Sequence, residues 1–529
     1  MKKHDVIVVG GGMAGLTASA YLAKRGIDVL LIEKNDKCGG LVNSFVKDGF
    51  LFEGGVRALE SAGIILPMLR DLEIKLHTVK SPVSVGIEDR VIHVHSEKNL
   101  KDYGDILKEL YPDSIDDVEK LLKVIKHVMK NMKVLYQVEN PVFKNFKSDK
   151  SYFVRVYLPW LFKFLVALWN INHMRIPVEE FLEKIIKNHS LKDIIDQHFF
   201  RGTPAFFAMS YFYLYTDYFY FMGGVGKIAE NMHNKILEFG GKVATDTKII
   251  EVDVTSNLLK DGEGNTYQYK ELIWASDLKT LYRIAAIENL PQAVKTKVEL
   301  ERSKILSKRG TDSVYSVYMA VNEPSEAFKK ISHGHFFYTP SRKGMGEIHR
   351  SELKNILQSW SNFSKEDILV WLDKFYQLNT YEISIPVLKD PQAAPEGATG
   401  LIVSTLFEYD LIKKIEEDGW YQEFKQEVEK RMIDVLTNSI YPTLKEKILF
   451  SFSATPITIE NTVASSEGAI VGWSFEETIP VTSSMIKIND SILTAFPNIK
   501  KAGQWSYSPS GVPTAILTGK LAADAIKLQ

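Results

Sequence analysis

A glycine-rich turn between an apolar strand and a helix constrains the fold of this 529-residue chain more than any other feature. Residues 5–9 predict a buried parallel strand, and Gly10, Gly12 and Gly15 follow it with G-x-G-x-x-G spacing. The first glycine permits a tight turn, the second lets a pyrophosphate approach the backbone, and the third lets the helix pack on the sheet. Free N–H groups at the start of the helix would face the phosphates. The turn therefore predicts a Rossmann-type dinucleotide site.

An acidic residue stands where the ribose of a dinucleotide would lie. Residues 28–32 predict a second strand, which ends at Glu33. A carboxylate there accepts hydrogen bonds from ribose hydroxyls and repels a 2′-phosphate, which disfavours NADP. An ordinary glycine-rich turn is the alternative, but strand, turn, helix, second strand and acid all occur in the required order.

Three later segments extend the pattern over the whole chain. Gly39-Gly40 precedes Gly-Phe-Leu-Phe-Glu-Gly-Gly at 49–55, a second glycine turn lies at 221–229, and a Trp- and Pro-containing loop at 502–513 leads into a small-residue helix. In this order the segments resemble the phytoene desaturase family of flavoproteins, which includes carotenoid cis–trans isomerases and retinol saturases. The resemblance implies FAD as the cofactor, with the C-terminal loop and helix closing over the flavin.

The glycine-rich turn with its flanking strands and helix, which we call the cradle, and the family resemblance together give a set of expected FAD-binding positions. These are Gly10, Gly12, Met13, Ala14, Gly15, Glu33, Lys34, Gly40, Leu41, Gly55, Ile249, Gly503, Trp505, Gly511, Val512 and Pro513. Ser508 and Ser510 stand where the family usually has glycine. The glycines at 223–226 lack a complete βαβ unit, so they predict a turn near the flavin and no second domain for a nicotinamide cofactor.

The parts expected to bind FAD lie far apart in sequence: the N-terminal cradle, the segment 223–277 and the C-terminal loop at 502–513. The FAD domain must therefore be discontinuous. We expect an α/β fold in which 1–80, 222–277 and 481–529 form a Rossmann-type, GR2-like FAD-binding domain. Residues 81–221 predict a largely helical, membrane-facing insertion, and 278–480 predict an α+β substrate domain. The clearest elements outside the cradle are helices at 115–137, 420–438 and 514–527 and strands at 311–322, 381–386 and 400–408.

The end of the insertion is dense in aromatic residues. Twelve of the 23 residues in 199–221 are Phe or Tyr. Aromatic walls suit a long apolar or polyene ligand because they bury area and stack on conjugated systems. Ordinary core packing between domains is the alternative for each residue alone, whereas the cluster beside the glycine turn favours a pocket.

A basic and aromatic stretch at 141–176 suggests contact with a membrane surface. It carries six Lys or Arg residues against Asp149 alone, interleaved with aromatic side chains. This pattern is typical of monotopic helices, and a solvated basic face over a buried apolar one is the alternative. Arg155 and Lys163 inside its most apolar part argue against a transmembrane span. We expect a cytoplasmic protein with peripheral contact to the inner face of the membrane.

Composition excludes several other classes of function. The net charge is −1, which provides no field for nucleic acid, and the single cysteine, Cys38, excludes an internal disulfide and a Cys-rich metal site. The histidine pairs His93/His95 and His333/His335 lack acidic companions at ligand spacing, so no metal is expected. The chemistry then belongs to the flavin.

The sequence thus predicts an FAD-dependent enzyme that acts on C–C or C=C bonds of a long apolar isoprenoid, carotenoid or polyunsaturated lipid. Desaturation, saturation and cis–trans isomerisation all remain open. Asp217 and Glu460 are candidate acid/base groups, although ion-paired or capping roles are the simpler reading of each. An amine-oxidase-like flavoenzyme with a soluble substrate and a non-catalytic prenyl- or lipid-binding relative of the fold are the alternatives.

Overall fold

Two large sheets carry the site in the computed structural model, which describes residues 2–136, 138–144 and 150–527. The strands are β1 Lys2–Val9, β2 Val29–Ile32, β3 Ser44–Lys47, β4 Phe50–Glu53, β5 Thr78–Lys80, β6 Val83–Ile87, β7 Arg90–Val94, β8 Phe219–Phe221, β9 Lys242–Ala244, β10 Ile249–Asp253, β11 Leu258–Asp261, β12 Thr266–Trp274, β13 Ala285–Ala286, β14 Ser313–Val321, β15 His335–Thr339, β16 Tyr381–Ser384, β17 Thr399–Phe407, β18 Ile448–Ala454 and β19 Ile499–Lys501.

Helices cover both sheets and build most of the segment between β7 and β8. They are α1 Met13–Lys24, α2 Ile65–Asp71, α3 Leu100–Leu110, α4 Ile115–Tyr136, α5 Lys150–Tyr152, α6 Leu158–Ile171, α7 Val178–Ile185, α8 His189–Asp196, α9 Ala205–Ala208, α10 Tyr211–Leu214, α11 Lys227–Glu238, α12 Leu278–Ile284, α13 Gln292–Leu306, α14 Ser325–Lys329, α15 Leu353–Gln358, α16 Lys365–Leu378, α17 Tyr409–Glu417, α18 Tyr421–Ser439, α19 Leu444–Lys447, α20 Pro456–Val463 and α21 Val512–Ala525.

The first sheet has the order β13-β10-β11-β12-β1-β2-β9, and β19 also pairs with β12. Strand β1 lies between β2 and β12 and is parallel to both. Val6, Ile7 and Val8 are fully buried, as the continuous apolar run predicts for a parallel strand covered on both faces. This arrangement is a Rossmann-like domain, and the mixed α/β class is confirmed.

Strands from the beginning, the middle and the end of the chain meet in this first sheet. β1, β12 and β19 are neighbours, and the C-terminal helix α21 packs on α1. The sheet also takes β13, and its core includes Val298 and Ile305 of α13. Residues 285–306 therefore pack with the first sheet, although the sequence placed them at the start of the expected substrate domain, 278–480.

The second sheet has the order β18-β14-β17-β16-β15-β6-β7. Its centre is the antiparallel pair β14 and β17, which runs from Ser313↔Phe407 to Val321↔Thr399. Strand β6 joins it parallel to β15, so β6 and β7, from the segment expected to be helical, complete its far edge. A core rich in Tyr, Phe and Leu fills the space between this sheet and α15–α18.

The helical insertion leaves and rejoins the molecule at one place, because β5 pairs antiparallel with β8. Between them α4 packs on α3 and α6, with its predicted apolar stripe buried. The helix expected at 115–137 is observed as α4. Gln137 and residues 145–149 of the basic stretch lie outside the described residues. The strands and helices expected after residue 300 correspond to β14, β16, β17, α18 and α21.

Candidate functional site

The glycine turn after β1 is shaped by close backbone contacts. Gly10 has φ +105°, and a β-carbon there would stand 2.7 Å from the carbonyl oxygen of Ala275. At Gly15 a β-carbon would stand 1.9 Å from the carbonyl oxygen of Gly10, so the helix could not pack against the strand. A β-carbon at Gly12 meets no heavy atom within 4 Å, because this glycine borders open space. The turn therefore has the room at Gly12 that an approaching pyrophosphate needs.

Glu33 is tied to the same turn. Its Oε2 atom accepts the Gly11 N–H at 2.6 Å, and Oε1 accepts the Asn35 N–H at 3.0 Å. The Cys38 thiol lies beside Gly11, and burial together with the charge of Glu33 raises its pKa to about 12. The cysteine therefore stays protonated, while the carboxylate is the group available for a ribose.

The C-terminal loop and α21 close the other side of this space. The Gly503 N–H donates to Thr518 Oγ1 at 3.0 Å, which fixes the loop to the helix. The Trp473 indole N–H donates to the carbonyl oxygen of Trp505 at 2.9 Å, and the two rings meet edge to face. Helix α21 begins after Gly511, and Gly511, Val512 and Ala515 at its start line the enclosed space.

A first cavity of about 230 Å³ lies between these two parts. Eleven of the expected FAD-binding residues line it, namely Gly10, Gly12, Met13, Ala14, Glu33, Gly40, Leu41, Gly503, Trp505, Gly511 and Val512. Gly15 and Pro513 lie just behind it, in α1 and α21. The structure does not bring Lys34 or Ile249 to the cavity wall, because the Lys34 ammonium donates to the Asn461 carbonyl and Ile249 is buried in the sheet core.

A second cavity of about 300 Å³ adjoins the first. Gly55 lines it, and six residues line both cavities, namely Leu41, Val56, Ile470, Val471, Gly511 and Val512. Its aromatic walls include Phe200, Phe207, Tyr211 and Tyr218 from the aromatic segment. Other members of that segment, such as Tyr220 and Phe221, are fully buried in the core. Some residues of the aromatic segment therefore line a pocket, and others are ordinary core residues.

One stretch of the second cavity wall is polar, and the sequence analysis did not find it. Arg57 follows β4, and its Nη2 atom donates to Ser316 and Ser404 on β14 and β17. His335 Nε2 lies 3.0 Å from Glu382 Oε1 across β15 and β16. Burial lowers the pKa of His335 despite this carboxylate, which keeps the imidazole neutral. The residues come from five separate segments, and only the sheet register brings them together.

Glu60 is a second residue that the sequence analysis missed. It lines the second cavity, and a β-carbon at Gly511 would lie 3.9 Å from its Oε1 atom. Burial raises the pKa of Glu60 to about 7, and the charge of Asp217 adds to the rise. A carboxyl group that titrates near neutral pH at the junction of two cavities is suited to proton transfer.

The two acid/base candidates from the sequence lie outside both cavity walls. Asp217 accepts backbone hydrogen bonds from Ser61 and Ala62, and Glu460 Oε2 accepts the Tyr409 hydroxyl at 2.6 Å. Asp217 thus accepts from a neighbouring backbone turn, as a capping residue would, whereas Glu460 is bonded to a tyrosine and, within the described chain, is neither ion-paired nor a cap.

Three of the four paired histidines, His93, His95 and His333, lie together, whereas His335 contacts Glu382 in the second cavity wall. The His333 ring lies 4.7 Å from that of His93 and 4.8 Å from that of His95, measured between centroids. Within the described residues, no group of three or more His, Cys, Asp or Glu side chains is arranged to hold a metal ion.

One helix in the described part of the chain, Phe153–Met174, is long and apolar enough to cross a membrane by length and composition. Only 17% of it is buried inside the protein. Trp160 and Ala167 face α4, where the Trp160 indole N–H donates to the Val134 carbonyl oxygen. The opposite face exposes Val154, Leu158, Phe162, Leu165 and Trp169.

The strand order of the first sheet, the glycine turn after β1 and the first cavity together define a dinucleotide-binding protein of the Rossmann-like class. Residues 8–72 match the family model described as NAD(P)-binding Rossmann-like domain. Solved structures with the same fold include wild-type putrescine oxidase bound to putrescine (13% identity, TM-score 0.59) and cyclohexylamine oxidase from Brevibacterium oxydans (12% identity, TM-score 0.56). Each comparison covers 99% of this chain and 98% of the other.

Relatives by sequence narrow the class. The chain is 22% identical to all-trans-retinol 13,14-reductase of Danio rerio, over 94% of this chain and 82% of the relative. It is 24% identical to prolycopene isomerase 1, chloroplastic, of an Oncidium hybrid cultivar (88% and 75%), and 21% identical to 1-hydroxycarotenoid 3,4-desaturase of a Flavobacterium species (99% and 99%). These matches support the carotenoid and retinol oxidoreductase family that the motifs resemble, and they make the chain an oxidoreductase.

Proposed function

We propose that the chain is an FAD-dependent oxidoreductase that acts on C–C or C=C bonds of a long apolar isoprenoid, carotenoid or polyunsaturated lipid. The observation that carries the proposal is the junction of the two cavities, which share six lining residues. A cofactor held in the first cavity would meet a substrate held in the second at this junction. The names of the relatives point to the same substrate class.

The residues of the first cavity fit FAD. Open space at Gly12 and the first N–H groups of α1 suit the pyrophosphate, and Glu33 suits the adenosine ribose. Ser510 lines the second cavity beside Gly511, and its buried hydroxyl has no partner among the described residues. FAD bound here would supply hydride transfer to or from the substrate.

The second cavity would bind, orient and desolvate the substrate. Its aromatic side chains bury an apolar chain and restrict its motion, which brings one bond to the junction. Exclusion of water from this apolar space protects a reactive intermediate from side reactions.

Glu60 is our proposed proton donor or acceptor at the junction. Its raised pKa, about 7, lets the carboxyl group hold a proton or take one near neutral pH. In desaturation it would accept the proton from the carbon next to the one that loses hydride, and in saturation it would donate that proton.

We also propose that the helix Phe153–Met174 lies in the surface of a membrane from which the apolar substrate is drawn. Its exposed residues Val154, Leu158, Phe162, Leu165 and Trp169 follow helical spacing on one side. Arg155 and Lys163 are exposed as well and would contact anionic headgroups. An orientation in the membrane plane explains why one face of the helix packs on α4 while the other is apolar and exposed.

Absorbance and mass spectrometry test the proposal directly. Purified protein should show a flavin spectrum and release FAD on denaturation. Anaerobic incubation with a panel of carotenoids, retinoids and unsaturated fatty acids should give a product that has gained or lost two hydrogens, or an isomer of unchanged mass and altered retention. A protein that binds no flavin after reconstitution would exclude the proposal. Turnover of a polar amine with no turnover of any polyene would favour the amine-oxidase-like alternative.

A further inference from the structure

Arg57 is a buried guanidinium without a carboxylate partner. It is 5% exposed and forms no ion pair with any carboxylate of the described residues. Nη1 donates to the Glu53 carbonyl oxygen, Nη2 donates to Ser316 and Ser404, and the Nε–H has no acceptor in the described chain. A buried charge is costly to leave without a directly bonded counter-ion, so this side chain favours an anionic ligand at the cavity that it lines.

The contrast with Arg201, a half-buried arginine, shows how this protein pairs a guanidinium when the role is structural. Arg201 contacts the carboxylates of Asp312 and Glu408 at 2.6 and 2.5 Å. The hydrogen bonds of Arg57 go only to neutral oxygens, from one backbone carbonyl and two serines. Glu53 and Glu382 interact with it through their charges without a direct ion pair, and its guanidinium lies 5.9 Å from the centroid of the Tyr318 ring. It also lines the second cavity, as both serines do, whereas Arg201 does not.

Arg57 has a second buried cation, Lys389, and two carboxyl groups, Glu53 and Glu382, as its charged neighbours. The Lys389 ammonium donates to the Arg57 carbonyl oxygen at 2.9 Å. Burial raises the pKa of Glu53 despite the charge of Lys389, so this carboxyl tends toward its neutral form. Glu382 remains ionised but is engaged by His335. His335 is 3% exposed, and its Nδ1 atom also lacks a partner among the described residues.

We propose that Arg57 is the anchor for a carboxylate head group, and that the substrate is therefore a long-chain carboxylic acid. The guanidinium supplies the positive charge at the cavity wall, and Ser316 and Ser404, which line the same wall, hold the guanidinium plane in place. The aromatic remainder of the cavity takes the apolar chain. An isoprenoid acid and a polyunsaturated fatty acid share this chemistry. The inference rests on the proposed function for the use of the cavity and narrows its substrate class.

Binding of matched acids and esters tests the inference. Retinoic acid and linoleic acid, each with its methyl ester, are titrated against the FAD-loaded protein by calorimetry. The wild-type protein should bind each acid about tenfold or more tightly than its ester, because a charge-assisted hydrogen bond is lost in the ester. Arg57→Gln should remove the preference and leave ester affinity unchanged, and Arg57→Lys should restore part of it. Arg90→Gln removes an exposed cation far from the cavity and should keep the preference.

Separate outcomes overturn the inference and the proposed function. Equal affinity of the wild-type protein for acid and ester would overturn the carboxylate site even if Arg57→Gln fails to fold. An equal loss of acid and ester binding in Arg57→Gln would do the same. Turnover of polyenes without a preference for acids would leave the proposed function intact and overturn the inference alone. A clear acid preference in a protein that binds no flavin would overturn the function alone. The ratio of the two acids' affinities tells which chain type the cavity fits.

Discussion

Gly519 in the C-terminal helix lies directly against the carbonyl oxygen of Ala14 in the first helix, and a β-carbon at 519 would stand 2.3 Å from that oxygen. The two helices that border the first cavity thus meet at backbone distance. Gly519→Val should force them apart, cost about 1–3 kcal/mol of stability and lower both the melting temperature and the FAD content. Gly262→Val, in an exposed turn with no atom closer than 4.0 Å, is the matched control. An unchanged Gly519→Val protein would contradict the observed packing.

Gly12→Val tests the pyrophosphate site without backbone strain. Gly12 has φ −70° and ψ 179°, which a branched residue adopts readily, and its missing side chain would point into open space. We expect a folded protein whose FAD affinity falls by about tenfold or more, equivalent to about 1.4 kcal/mol, because the valine occupies the phosphate position. Flavin absorbance and circular dichroism measure the two properties separately. Full FAD occupancy in this variant would place the phosphates elsewhere.

Glu60→Gln tests the proposed proton transfer. The variant keeps the shape of the side chain but cannot titrate, so turnover should fall by about 100-fold while FAD content is unchanged. The wild-type rate should change through pH of about 7, in line with the raised pKa of Glu60. A rate that rises with pH would indicate a base and hence desaturation, and one that falls would indicate an acid. Glu460→Gln, outside both cavities, is the control, and an equal loss in both variants would argue against a specific role for Glu60.

Arg201→Met tests the ion-pair cluster that joins the aromatic segment to the second sheet. Removal of the guanidinium leaves Asp312, at 8% side-chain exposure, without its cation, whereas Glu408, at 4%, keeps its ion pair with Arg309. The expected loss is about 3–5 kcal/mol, read as a large fall in melting temperature. Arg90→Met breaks an exposed pair with Glu109 and should cost at most about 1 kcal/mol. A similar small effect at Arg201 would show that the cluster contributes little.

The same variant gives a pH test. Burial acts to raise the pKa of Asp312, but the charge and hydrogen bonds of Arg201 outweigh it and hold the pKa below its ordinary value. In the wild type this carboxylate therefore stabilises the fold above about pH 4, and the stabilisation is lost as pH falls through the lowered pKa. In Arg201→Met burial, the largest cause, is opposed mainly by the retained hydrogen bond from the backbone N–H of residue 201, so the pKa of Asp312 should rise and stability should fall as pH rises from about 4. The gap in melting temperature between the two proteins should widen toward neutral pH, and a constant gap would refute this account.

The double variant Phe162→Glu with Trp169→Glu tests membrane contact. Their side chains are 72% and 78% exposed, so the substitutions should not disturb folding. Flotation with anionic liposomes should fall by about tenfold or more, since each large apolar side chain contributes about 1.5–3 kcal/mol on burial. Leu300→Glu, at a 75% exposed position on α13, is the control. Equal flotation of the double variant and the wild type would contradict the proposal.

The local elements of the fold could be predicted from sequence because their signals are local. β1, the glycine turn, α1 and Glu33 follow one another within 33 residues, and each residue type has a direct backbone reason. The aromatic lining of the second cavity was also foreseeable, since four of its residues lie in one short segment. Arg57 and the pair His335–Glu382 could not be found in this way. Their meeting depends on the register of β14 to β17, which no short sequence pattern encodes.

Strands β6 and β7, which belong to the insertion, complete one edge of the second sheet. β6 covers the edge of β15, which pairs with β16 on its other side. If residues 81–221 were deleted as a unit, the backbone groups of β15 would be exposed as an unpaired edge, open to association with other chains. A shortened protein for crystallisation should therefore keep residues 83–94 and remove only helices that follow β7. Natural variation in the length of the insertion should be confined to the same helices.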